Sequence, residues 1–147
     1  MTPLDAIRVI AGEVRAGFTS LPLYDDENVA GMYSGADGLA AIPTGGAVRL
    51  LITPGDDVPV ASPGLDRAVL VATLEVYRPK GQGQGQPLRD AAALVNLFNR
   101  RSFLAPSGGT GQLTCVRTRQ DVVGSDKERD LYQVNAVLIF HNYSHPT

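Results

Sequence analysis

Arg67-Ala68-Val69-Leu70-Val71-Ala72-Thr73-Leu74-Glu75-Val76-Tyr77 is an uninterrupted strand pattern, and the way the chain continues beyond Tyr77 decides the fold. A Gly/Gln tract, Gly81-Gln82-Gly83-Gln84-Gly85-Gln86, breaks the strand, and an amphipathic helix is predicted over Pro87–Phe103. Two further strand patterns, Gln112–Thr118 and Leu131–His141, complete the order. In the first strand the even positions Ala68, Leu70, Ala72, Leu74 and Val76 are all apolar, whereas the odd ones include Arg67, Thr73 and Glu75. One face is therefore core and the other partly wet, as in an antiparallel sheet covered on one side. The last strand repeats this logic, with Tyr132, Val134, Ala136, Leu138 and Phe140 opposite Gln133 and Asn135.

Working outward, the helix places Leu88, Ala91, Ala92, Val95 and Phe98 on one side, extended by Leu94 and Leu97. Asp90 is expected in its first turn, and Arg100 and Arg101 in its last turns, where cations suit the dipole. A second helix is expected at the N-terminus. Thr2-Pro3 opens it, Asp5 favours its positive end, and Leu4, Ile7, Ile10, Val14 and Phe18 make one apolar stripe. A short strand, Val48–Thr53, closes at the turn Pro54-Gly55-Asp56-Asp57. Residues 22–47 and 54–66 read as long irregular loops. The expectation is one α+β domain over 1–147, a mainly antiparallel sheet of about four strands packed by two amphipathic helices.

Composition bounds the function. At 147 residues with 44% hydrophobic and 19% charged residues, the chain suits one globular domain. Its longest apolar run is five residues, as in Ala136 to Phe140, far below a membrane span. Asp5, Arg8 and Glu13 interrupt the N-terminus, unlike a secretory signal, and the single Cys115 cannot form an internal disulfide, so folding in a cytoplasm is expected. The net charge of −2 argues against binding nucleic acid by phosphate neutralisation. The charge is uneven, however. Residues 1–66 carry three basic and nine acidic residues (−6), and residues 67–147 ten basic and six acidic (+4). Either the loops are simply acidic, or the halves form complementary surfaces that favour head-to-tail contact.

Candidate sites are few. The Gly81–Gly85 tract lies between strand and helix, where phosphate loops occur, but it lacks both the dinucleotide fingerprint and the Gly-Lys-Ser/Thr of a P-loop. Asp90 would also repel a phosphate, so a flexible connector is expected. Ser107-Gly108-Gly109-Thr110-Gly111 reads as a helix-to-strand connection. His141 and His145 have ligand spacing only for a helix, and they stand at a strand end. Cys115 shares a face with Leu113 and reads as buried and inert. Asp25-Asp26-Glu27 lacks the pattern of a calcium loop and reads as a solvated acidic loop. The charged stretch Gln120–Asp130, with Val122 and Val123, is either a solvated hairpin tip or an arm that docks on a neighbouring subunit.

The run Leu74-Glu75-Val76-Tyr77-Arg78-Pro79, a Gly-rich break, then Arg89-Asp90-Ala91-Ala92-Ala93-Leu94-Val95-Asn96-Leu97-Phe98 resembles the strand–GxGxG–helix core of bacteriophage tail terminator-like (tail completion or minor tail) proteins. Leu131–Phe140 is similar to that family's final strand, and the opening helix with Glu27-Asn28-Val29 to its N-terminal part. The resemblance implies a structural virion protein, assembled in the host cytoplasm. Six copies would close as a ring on the tail tube at the head–tail junction and end its polymerisation. It implies no catalytic residue, metal or cofactor, and as partners further copies, the tail tube protein and the head-completion or connector protein. It implies no membrane and no sequence-specific nucleic acid, with DNA free to pass through the ring. Candidate interface residues are Gly81, Gln82, Gly83, Gln84, Gly85, Val122, Val123, Asp126, Lys127, Glu128 and Arg129. The alternatives are another neck or tail-tube subunit, or a small anion- or nucleotide-binding enzyme using the Gly81–Gly85 loop.

Overall fold

The computed structural model describes residues 1–25, 45–59, 66–106, 108–126 and 130–143. The expectations for Asp26, Glu27, Asn28, Val29, Lys127, Glu128, Arg129 and His145 lie outside the described residues, as does most of the stretch 22–47. In chain order the elements are α1 (Pro3–Gly17), β1 (Leu23–Tyr24), β2 (Ala47–Pro59), β3 (Asp66–Pro79), a 3-10 turn (Lys80–Gln82), α2 (Gly85–Phe98), β4 (Ser102–Leu104), β5 (Gln112–Asp126) and β6 (Leu131–Tyr143). The strands form one sheet in the order β1-β2-β3-β6-β5-β4. All neighbours are antiparallel except β1 and β2, which are parallel. The architecture is α+β as expected, with six strands instead of about four.

The helices form as their sequences direct. Thr2 Oγ1 accepts a hydrogen bond from the Asp5 backbone N–H at 3.1 Å, and Pro3 opens α1. The buried stripe of α1 is Ala6, Ile10, Ala11 and Val14, continued by Phe18 just beyond the helix; Leu4, expected on the stripe, is 44% exposed. Both helices cover the same sheet face. There Val48, Leu50, Leu70, Ala72, Leu74 and Val76 meet Val134, Ala136, Leu138 and Phe140, together with Ala91, Leu94 and Phe98 from α2. The alternation read in β3 and β6 thus places the core. Phe98 packs edge-on against Phe140 with ring centres 6.0 Å apart, and tilted against Phe103 at 5.7 Å. Each such large side chain, fully buried, contributes about 1.5–3 kcal/mol.

Four expectations are corrected. First, α2 ends at Phe98 and does not reach Phe103, so Arg100 and Arg101 are outside it. Asn99 leaves helical geometry, Arg100 takes a left-handed φ of 59°, and the chain turns back so that Ser102–Leu104 pairs with β5. Second, β2 does not close at Pro54. A register shift between Pro54 and Asp57 absorbs the proline, which cannot donate to a ladder, and pairing with β3 resumes to Pro59. Third, the loop expected over 54–66 is accordingly strand over 54–59 and at Asp66. Fourth, Gln120–Asp126 is strand, not loop, because β5 stays paired with β6 as far as Asp126–Leu131.

The sheet face away from the helices carries a polar row across three strands. Arg49 of β2 donates through Nε to Glu75 Oε1 of β3 at 2.5 Å. Gln133 of β6 donates through Nε2 to Glu75 Oε2 at 3.2 Å and to Asn135 Oδ1 at 2.9 Å.

Candidate assembly surface

The Gly/Gln tract is a structured corner. Pro79 leads into the 3-10 turn, the Gly83 N–H donates to the Lys80 carbonyl at 3.1 Å, and Gly83 takes a φ of 73° that favours glycine. The Lys80 N–H donates to the Asp130 carbonyl at 3.2 Å, which ties the corner to the start of β6. Gly81, Gly83, Gln84 and Gly85 are exposed. Behind them, Arg78 donates to Asp90 through Nε at 2.7 Å and Nη2 at 3.2 Å, and Gln86 donates to the same carboxylate at 2.9 Å. Asp90 is 3% exposed. Because α2 begins at Gly85, Asp90 sits beyond the first turn, contrary to expectation. Its charge is matched by a forked guanidinium, the strongest ordinary pairing for a carboxylate, and its role is to lock β3 to α2.

The second candidate region is the far half of the β5–β6 hairpin. Two register shifts interrupt β5, at Cys115/Arg117 and at Val122/Gly124, and Gly124 has a φ of 106°. An extra residue at each shift re-aims its neighbours. Val122 and Val123 are each 57% exposed, and Val116 is 41% exposed. Val122 pairs with Val134, whose side chain is in the core, so Val122 lies on the helix-side face at a place the helices leave open. On the opposite face stand Arg117, Arg119 and Asp121, paired with Ile139, Val137 and Asn135. Asp126 closes the strand opposite Leu131.

Sequence reasoning missed the sheet edges. β1 pairs with β2 only at Val48 and Arg49, and β4 pairs with β5 only at Gln112–Thr114. Among the described residues, no strand pairs with the outer edge of β2 from Leu50 to Pro59 or of β5 from Val116 to Asp126. Long open edges invite pairing with another chain. The signal for β4 was the apolar pair Phe103-Leu104 following Arg100-Arg101. Leu104 is 69% exposed on this outermost strand. Arg101 fixes the turn before it: Nη1 donates to Glu13 Oε1 at 2.9 Å and to the Leu97 carbonyl at 2.7 Å, and the guanidinium lies 5.1 Å from the Phe103 ring centre.

The remaining candidates separate from this surface. Cys115 is fully buried beside Leu113; burial raises its thiol pKa, opposed by hydrogen bonding to the backbone at Arg117 and Arg100. Asp25 is 2% exposed and paired at 3.0 Å with Arg15, whose side chain is about half exposed, so this end of the acidic stretch is a buried carboxylate and not a solvated loop. His141 stacks edge-on with Tyr143, ring centres 6.2 Å apart. Among the described residues, no group of three or more His, Cys, Asp or Glu side chains could hold a metal ion, and no helix is long and apolar enough to cross a membrane.

No protein-family model matches the chain, and no curated protein sequence matches it. Solved structures do. One, known only by a sequence identifier, is 17% identical with a TM-score of 0.61, covering 98% of this chain and 94% of the other. Another is a chain in a structure described as the virion of a native gene transfer agent (GTA) particle. It is 16% identical with a TM-score of 0.57, covering 95% of this chain and 94% of that one. At these identities the likeness is one of fold, and it extends along nearly the whole of both chains.

Proposed function

We propose that this chain is a structural subunit of a tailed phage or phage-like particle. Copies form a ring that caps the tail tube at the head–tail junction and ends its polymerisation. The observation that carries this reading is the fold shared over 95% of the chain with a component of a gene transfer agent virion. The order of β3, Gly/Gln corner, α2 and hairpin supports it, being the order on which the tail terminator resemblance rests. Partners are further copies of the chain, the tube protein on one face and a head-completion or connector protein on the other, with DNA passing through the lumen. The role requires no catalytic group and no cofactor. Purified protein mixed with tail tubes should appear by negative stain as a cap at one tube end. Tubes that stay bare at both ends would reject the reading.

A second reading, a tube or other neck subunit, draws on the stretches of β2 and β5 that no strand among the described residues covers, which suit repeated stacking as well as closure. Spontaneous growth of the purified chain into long tubes would favour it over the terminator.

A further inference from the structure

We draw no further inference here: the strongest candidate, the exposed valines Val116, Val122 and Val123 beside the two register shifts of β5, is an unpartnered apolar surface, and nothing in the structure shows what covers it.

Discussion

Arg78, one residue before the end of β3, grips Asp90 of α2 through two nitrogens, Nε at 2.7 Å and Nη2 at 3.2 Å. Both groups are largely out of water, at 14% and 3% side-chain exposure. Removing one partner strands the other. Asp90→Ala should therefore destabilise the fold by about 3–5 kcal/mol in urea unfolding. The apolar double variant Arg78→Met/Asp90→Leu should recover most of that loss, since neither half is then left unpaired.

Gly46 and Gly124 both have left-handed backbones, with φ of 96° and 106°, in different surroundings. A Cβ at Gly46 would press into the Tyr77 backbone carbonyl, while one at Gly124 meets nothing within 4 Å. Gly124→Ala should cost only the conformational strain, about 1–2 kcal/mol. Gly46→Ala adds a clash that β3 must move to relieve, about 3 kcal/mol in all. Thermal melts of the two variants give the order directly.

Burial raises the Cys115 thiol above its ordinary value of 9.0. A group whose pKa is higher folded than unfolded contributes stability fully below the unfolded value and loses it as pH climbs toward the folded one. Stability should therefore fall above about pH 9, and Cys115→Ala should flatten that part of the profile. Native protein should leave a thiol reagent unreacted at pH 8 until denaturant is added.

ATP, GTP or inorganic phosphate at millimolar concentration should leave the melting temperature unchanged. A ligand at 100 times its Kd stabilises a folded protein by about 2.7 kcal/mol, an upward shift of several degrees for a small domain. Such a shift, abolished by Gly83→Val, would revive the Gly81–Gly85 loop as an anion site.

The core was legible because two strands alternate cleanly and one face of each is apolar throughout. Thr2 and Pro3 marked the start of α1 for equally local reasons. The missed features are tertiary. Nothing in the propensity of arginine announces the left-handed Arg100 that ends α2 and frees Phe103 to meet Phe98. Pro54-Gly55-Asp56-Asp57 has the chemistry of a turn, and only the partner strand β3 shows it absorbed as a bulge. The charges of 120–126 read as part of a loop until β6 is seen paired with them to the end. The Gly81–Gly85 and Val122–Val123 regions were legible from composition alone, whereas how much of β2 and β5 the described strands cover depends on how far β1 and β4 reach.

The polar row on the helix-free face has a consequence for how the strands find one another. Shift β2 or β6 by a single residue against β3, and Arg49 or Gln133 swings to the helix side, away from Glu75, into the oily interior. A stranded ion in that setting costs several kcal/mol. Arg49, Glu75 and Gln133 thus act as an alignment key: they contribute little to holding the correct sheet together and a great deal to making every slipped one untenable.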